Sequence, residues 1–272
     1  MFTSYHIIWL IICVVLISAS LIILKKYKIS LDRFLGFCCF GAVMAEIVKV
    51  FSVIKFVPLA GKETFTPYIE MTDVPLHLCS FQIILIFYTK FSKNKKLKQL
   101  FLSFMYPTCT MGAFLAILLP SIFPDSVLPQ QAFTKLHPYE YFLYHALLIV
   151  LGIYILISGQ ANIKPKNYLT TILMLLCCAF LSLYLNSIFS IPVYENGELL
   201  HIEHLPNFFF TFLTPINLPL TKIWHWYIYL GVIVALGFLL VALMYLPVFI
   251  KAKKKRQNEN IINKDCDILL TK

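Results

Sequence analysis

A chain of 272 residues in which 60% are hydrophobic and only 13% are charged is too apolar for a soluble domain. Its mean hydropathy of +0.80 is typical of a polytopic membrane protein. A net charge of +10 would suggest nucleic acid as the partner of a soluble protein. Here the lysines cluster in alternate loops and no nucleic-acid-binding motif accompanies them, so we predict no nucleic-acid partner.

Seven apolar stretches are long enough to cross a bilayer, which needs about 20 residues of helix. Helix is expected for all of them, because open strands in lipid would leave backbone groups without hydrogen-bond partners. The predicted fold is an all-α, polytopic membrane protein with a seven-transmembrane-helix bundle. Its spans are residues 6–24, 31–57, 74–91, 99–119, 139–158, 168–191 and 224–250. They make one domain, 1–250, followed by a basic, polar cytoplasmic tail, 251–272.

Charge alternates between the two sets of loops. Basic residues such as Lys25, Lys95 and Lys253 follow odd-numbered spans, whereas acids such as Glu63 and Glu195 fall in the other loops. Because cytoplasmic loops carry the excess of lysine and arginine, this pattern places the N-terminus outside and the C-terminus in the cytoplasm. The first basic cluster follows the first apolar run, which predicts a retained helix, not a signal peptide. We expect a multi-pass protein of the cell membrane.

The segment DVPLHLCSFQ, residues 73–82, brings a histidine and a cysteine together at the start of the third span. An acid followed by Pro75 is typical of a helix start. Free N–H groups in that first turn would favour the thiolate form of Cys79. On a helix, His77 and Cys79 point away from each other. The base for Cys79 is therefore expected elsewhere in the chain.

Three polar residues fall at a similar distance from the outer ends of their predicted helices. Counting about 1.5 Å of rise per residue places Cys79, His145 and Asn186 in one outer-leaflet layer. These are the residue types of a thiol nucleophile, its base and the group that orients the base. In the alternative interpretation, Asn186 bonds between helices and His145 bonds a neighbouring serine or carbonyl.

Other polar residues in the spans are candidates for the wall of a cavity. Glu46 and Lys49 can pair on one helix face; either they only neutralise each other, or Lys49 holds an anionic headgroup. Gln82 lies one turn after Cys79 and can donate to a developing oxyanion or serve in helix packing. His77 is expected near the outer surface. The chain has no H-E-x-x-H motif or metal-binding cysteine pair, so we predict no metal and no cofactor.

The longest outer loop, residues 192–223, contains the aromatic run NFFFTF, which begins at Asn207 and is too short to span. Two interpretations remain open. The run either lies along the membrane interface or folds back over the mouth of a cavity as a lid. In the second case Asn207 lines the cavity.

Three blocks of sequence carry a resemblance to a known family. They are PLHLC at 75–79, the aromatic-rich run that ends in His145, and a C-terminal block with Asn207, Pro215 and Trp226. Together they resemble the YwaF-like integral membrane proteins, a family that looks related to the transmembrane-protein-164 group. The resemblance covers nearly all of the helical part of the chain.

The resemblance implies a multi-pass fold and, in the eukaryotic relatives, a cysteine nucleophile in acyltransferases that act on glycerophospholipids. Cys79 is the matching position. The chain departs from the family pattern at Phe208, where tyrosine is expected, and at Thr214, where lysine is common.

We therefore predict a lipid acyltransferase or acyl hydrolase of the outer leaflet, in which Cys79 forms a thioester and His145 moves the proton. Its expected partners are membrane lipids, including a phospholipid acyl donor and acceptor; the oligomeric state is unknown. The alternative is a non-enzymatic transporter or small-ligand-binding membrane protein, with Glu46, Lys49 and His145 around the ligand. A third reading is a structural or assembly protein.

Overall fold

The computed structural model describes residues 3–58, 64–120, 131–195, 197–214 and 220–270. Its helices are α1 (Ser4–Lys26), α2 (Leu31–Val53), α3 (Leu78–Phe91), α4 (Lys95–Leu118), α5 (Leu136–Ile157), α6 (Asn167–Ile188) and α7 (Ile223–Leu270). Two antiparallel hairpins occupy connections predicted as loops; they pair β1 (Lys55–Pro58) with β2 (Phe65–Tyr68) and β3 (Ile191–Glu195) with β4 (Glu198–His204).

Six of these helices are long and apolar enough to cross a membrane, namely α1, α2, α4, α5, α6 and the first 37 residues of α7. A mostly helical, polytopic membrane protein is thereby confirmed. Helix α3 has only 14 residues and rises about 21 Å, less than the roughly 30 Å hydrocarbon core of a bilayer. The central helices are α4 and α5, in which 56% and 61% of the span is buried, compared with 17% in α1, α6 and α7.

Helix α3 begins at Leu78, four residues later than predicted. A 3₁₀ turn, Met71–Asp73, precedes it, and Val74 and His77 have extended backbone. The predicted start is wrong because a residue before proline is biased toward extended conformation, so Pro75 ends the preceding turn and does not open the helix. His77 takes the N-cap position without a side-chain cap, and Cys79 becomes the second residue of α3.

The ends of two other helices also differ from the prediction. Helix α2 ends at Val53 because residues 55–58 leave the helix to form β1, where Pro58 could not continue a helix. The Glu46–Lys49 pair therefore lies near the end of α2 and not in its middle. Helix α7 runs on to Leu270, through the segment 251–270 of the predicted tail.

Helix α4 is interrupted by a π-turn, Thr108–Gly112, directly after Pro107. Proline has no N–H, so the carbonyl of Ser103 one turn earlier loses its helical partner. Neighbouring helices supply the missing donors: Tyr245 of α7 donates its hydroxyl to the Ser103 oxygen at 2.9 Å, and Thr171 of α6 donates at 3.3 Å. The break in α4 thus holds three helices together.

Close packing of α5 against the π-turn of α4 depends on a glycine. A Cβ at position 152 would lie 2.8 Å from the backbone nitrogen of Thr110 and 2.9 Å from the carbonyl oxygen of Tyr106, besides meeting the Thr110 hydroxyl. Backbone atoms cannot yield as a flexible side chain can. Gly152 therefore allows α4 and α5 to approach at this point.

We expect Gly152→Ala to lower stability by about 1–3 kcal/mol, the usual cost of overpacking a well-packed core. Thermal unfolding of the purified protein in detergent measures the effect. Gly237→Ala in α7 is the matched control, because a Cβ there meets nothing within 4 Å. Equal melting temperatures for the Gly152→Ala variant and the control would contradict the role of this contact.

Candidate functional site

The structure brings the start of α3 close to the first half of α5. The hydroxyl of Tyr144 donates to the backbone carbonyl of Cys79 at 2.9 Å, and His145 is the next residue of α5. His145 lies nine residues inside α5, about 14 Å along the helix, whereas Cys79 lies in the first turn of α3. The observed helix starts, Leu78 and Leu136, differ from the predicted starts at residues 74 and 139, so the depth counts made from the predicted starts no longer apply. The hydrogen bond from Tyr144 links the two helices at this point.

Charged and titratable groups surround the same point. Lys49 in α2 lies within electrostatic range of both Cys79 and His145. Glu140 lies within electrostatic range of Cys79 and Tyr144, and His77 lies within that of His145. We call this group the Cys79 cluster; its six residues are Lys49, His77, Cys79, Glu140, Tyr144 and His145.

The hydrogen bond of His145 fixes which ring nitrogen carries the proton. His145 is buried, and its Nδ1 lies 2.6 Å from the carbonyl oxygen of Tyr141 on the same helix. A carbonyl can only accept, so Nδ1 is the donor and Nε2 of the neutral ring is the acceptor. This is the tautomer of a general base, and the group that orients the ring is a backbone carbonyl.

We correct the role predicted for Asn186. Its Oδ1 accepts the backbone N–H of Phe208 at 2.7 Å, and its Nδ2 donates to the Phe208 carbonyl and the Thr211 hydroxyl at 3.2 Å and 2.9 Å. The amide is fully buried and bonded to the outer loop. Asn186 therefore anchors that loop to α6 and does not orient His145. Sequence alone placed the residue on the right helix but could not identify its partner.

The anchored segment, residues 207–214, forms what we call the outer loop plug. The side chain of Asn207 folds it by accepting the N–H groups of Phe212 and Leu213, both at 3.1 Å. Trp226 of α7 donates its indole N–H to the carbonyl of Thr211 at 3.0 Å. Asn207 thus shapes its own loop, which replaces the predicted cavity-lining role. Residue 215, part of the sequence block noted above, lies outside the described residues.

The outer loop plug reaches the Cys79 cluster through one aromatic contact. The buried ring of Phe208 packs edge-on against the ring of His77, with centroids 5.1 Å apart. The next two residues, Phe209 and Phe210, have φ of 58° and 54°, in the left-handed region that bulky residues avoid. The plug is thus a strained, anchored element beside the candidate site, folded back onto the bundle.

The three remaining predicted site residues, Gln82, Glu46 and Lys49, all have side-chain partners in the structure. Gln82 is fully buried, donates to the hydroxyl of Thr108 at 3.1 Å and accepts from the thiol of Cys109 at 3.3 Å, so its amide is used in packing α3 against α4. That arrangement agrees with the packing interpretation and not with an oxyanion donor. The predicted pairing of Glu46 with Lys49 is confirmed, at 3.8 Å.

Glu140 and Tyr144 are the members of the Cys79 cluster that the sequence analysis missed, and Glu140 is the charged one. Its side chain is only 7% exposed and lies 3.6 Å from Nδ1 of His137, one turn earlier. A nearly buried carboxylate is costly at the end of a membrane helix and therefore informative. The available signal was the His-x-x-Glu spacing at the start of the fifth span. Within the described ranges, no three His, Cys, Asp or Glu side chains converge as a metal site.

The comparison with protein families matches residues 1–245 of this chain to the TMEM164 family. That range includes six helices completely and the membrane-embedded part of α7 to Tyr245. The resemblance to the transmembrane-protein-164 group is thereby confirmed, whereas the YwaF-like branch stays a prediction. No curated protein matches the chain, and no solved structure matches it.

We expect Asn186→Ala to release the outer loop plug, because the buried N–H of Phe208 loses its acceptor, at a cost of about 1–3 kcal/mol. Chymotrypsin cleavage within residues 207–214 measures the release, and the variant should be cut faster than the parent protein. Ser187→Ala, at the exposed neighbouring position, is the control. If both variants are cleaved at the rate of the parent protein, Asn186 does not anchor the loop.

Proposed function

The chain belongs to the TMEM164 family, and from that premise we propose that it is a membrane-embedded lipid acyltransferase or acyl hydrolase with Cys79 as its nucleophile. The observation that carries the proposal is the tautomer of His145. With Nδ1 donating to the Tyr141 carbonyl, Nε2 is left as the acceptor for a thiol proton. Cys79 lies on α3 and His145 on α5, and the hydrogen bond from Tyr144 to the Cys79 carbonyl links these two helices.

In the proposed first step, His145 Nε2 takes the thiol proton and the Cys79 sulfur attacks the carbonyl carbon of an acyl ester. The C–O bond of the ester breaks, and the departing lipid alkoxide takes the proton back from His145. A thioester and a lysolipid result. In the second step the hydroxyl of another lipid attacks the thioester, His145 relays its proton to sulfur, and the thiol is restored. Water in place of that hydroxyl gives hydrolysis.

The position of Cys79 at the start of α3 supports this chemistry. The first turn of a helix has N–H groups without partners inside the helix, and the N-cap residue His77 supplies no side-chain cap. In the proposed reaction these N–H groups serve as donors to the oxyanion of a tetrahedral intermediate.

The surrounding groups have roles in binding and in excluding water. Lys49, four residues before the end of α2, holds the phosphate of a phospholipid donor or acceptor. His77 and Phe208 close the cluster on its outer side, which limits water at the thioester and favours transfer to a lipid alcohol over hydrolysis. Within the TMEM164 family, we also propose that the chain belongs to the narrower YwaF-like branch.

A second function is favoured by the charges of the cluster. Lys49 is 14% exposed and Glu140 is 7% exposed, and such opposite charges at a membrane helix end can bind a charged small molecule without covalent chemistry. In that case the protein is a transporter or a small-ligand receptor, and the thiol of Cys79 has no chemical role.

We also propose seven membrane crossings, with the N-terminus outside and the C-terminus in the cytoplasm of a cell membrane. The short helix α3 then crosses together with the extended segment before it. The support is the alternation of charge along the chain: Lys25 lies in the last turn of α1, Lys95 begins α4, Lys164 lies between α5 and α6, and Lys253 follows the apolar part of α7. In sealed vesicles of known orientation, we expect trypsin to remove the end of α7 only from the cytoplasmic side.

Removal of the nucleophile or the base should abolish acyl transfer. We expect Cys79→Ala to leave no turnover of a fluorescent phospholipid by the purified protein, and His145→Gln to reduce turnover by about a hundredfold or more. A thiol-reactive acyl probe should label the parent protein at Cys79. Cys177→Ala, an exposed cysteine of α6, is the matched control and should keep full turnover.

A comparison of Cys79→Ala with Glu46→Gln distinguishes the enzyme from the ligand-binding protein. If the protein only binds a ligand, lipid-dependent thermal stabilisation survives Cys79→Ala and is lost in Glu46→Gln, which removes the partner of Lys49. Turnover that is unchanged in both Cys79→Ala and Cys79→Ser, with Cys79 unlabelled, would end the nucleophile hypothesis.

A further inference from the structure

A second polar feature lies at the opposite end of the bundle from Cys79. A cleft of about 340 Å³ opens between the start of α4 and the connection from α5 to α6. Helix α3 ends at Phe91, about 18 Å along its axis from Cys79, and α4 begins at Lys95 just beyond it. The cleft is therefore separate from the Cys79 cluster.

Four lysines from two distant parts of the sequence line this cleft, which we call the basic cleft. Lys95 and Lys96 come from the first turn of α4, and Lys164 and Lys166 come from the connection into α6. All four side chains line the same opening. Like charges repel, so the arrangement is most stable when an anion occupies the cleft.

Nearby acids do not neutralise these four charges. At this end of the bundle the carboxylate of Asp32 is shared by Lys90 and Lys98, at 2.6 Å and 3.5 Å. In the described part of the chain, no carboxylate lies within 4.0 Å of any basic-cleft lysine. The lysines thus stand as an unbalanced positive group.

Two hydrogen bonds shape the walls of the basic cleft, one between its two sides and one within a single side. The backbone N–H of Asn162 donates to the side-chain oxygen of Gln99 at 3.0 Å, which joins the connection to α4. The backbone N–H of Lys164 donates to Oδ1 of Asn167 at 2.8 Å, which shapes the start of α6. Both of these amide oxygens are occupied, and the four ammonium groups are the charged groups offered to a ligand.

We propose that the basic cleft binds a phosphate-bearing anion, presented either by a lipid headgroup or by a soluble phosphate. A ligand that meets four ammonium groups and amide donors has to be a multiply charged acceptor, and phosphate has that chemistry. The cleft lies at the boundary of the apolar spans, where lipid phosphates lie and where lysines of membrane proteins recognise them. This site is independent of the chemistry proposed for Cys79.

Thermal unfolding of the full-length protein in a neutral detergent tests the proposal. The titrants are short-chain phosphatidic acid, diacylglycerol with the same chains, and inorganic phosphate. We expect saturable stabilisation by phosphatidic acid and none by diacylglycerol. The double variant Lys164→Gln/Lys166→Gln should weaken the apparent affinity by about tenfold or more, as should Lys95→Gln/Lys96→Gln.

The control is Lys253→Gln/Lys254→Gln, which removes the same charge from an exposed part of α7 that does not line the basic cleft. Its affinity should stay within about twofold of the parent value, since screened charges at a distance contribute little. Stabilisation by inorganic phosphate as well identifies a soluble ligand; stabilisation by phosphatidic acid alone identifies a headgroup. Equal weakening in the control, or no saturable effect of either phosphate compound, overturns the proposal.

Discussion

The missing N–H of Pro107 is the constraint on which the arrangement of the bundle depends. In lipid, a carbonyl without a hydrogen-bond partner costs several kcal/mol, so the Ser103 oxygen must find donors on other helices. Tyr245 and Thr171 supply them, and α7 and α6 are thereby fixed against α4. The π-turn that follows absorbs the break and brings the backbone of α4 close to Gly152 of α5. Pro107 thus determines how α4 contacts α5, α6 and α7.

The same break reaches the candidate site through α3 and α5. Within the π-turn, Thr108 and Cys109 bond both ends of the Gln82 amide, which fixes the rotation of α3 about its axis. Cys79 precedes Gln82 by three residues and shares its face. On α5, His145 precedes Gly152 by seven residues, or two turns, and so shares the face that meets α4. Both faces are turned into the bundle by contacts with α4.

The sequence was sufficient to locate the helices, but not to fix their ends or the geometry of the site. Apolar length predicts the spans because lipid leaves the backbone no other choice. The direction in which Cys79 faces depends on Gln82 meeting α4, and the position of His145 within α5 depends on where that helix begins; both are tertiary outcomes. Asn186 shows the same limit, since its residue type fits an orienting amide or an anchor equally well. The hydrogen bonds of Asn186 to Phe208 and Thr211 decide in favour of the anchor.

That loop is part of the site and not merely a connection. Two consecutive aromatic residues, Phe209 and Phe210, are held in left-handed conformation, at a cost of about 1–3 kcal/mol each. Such strain persists only where the surroundings over-determine the backbone, and here Asn186, Trp226 and Tyr229 all bond it. A connection without a role would relax to unstrained backbone. The bonds that maintain the strain also hold Phe208 against His77, which is the contact that the proposed closure of the Cys79 cluster requires.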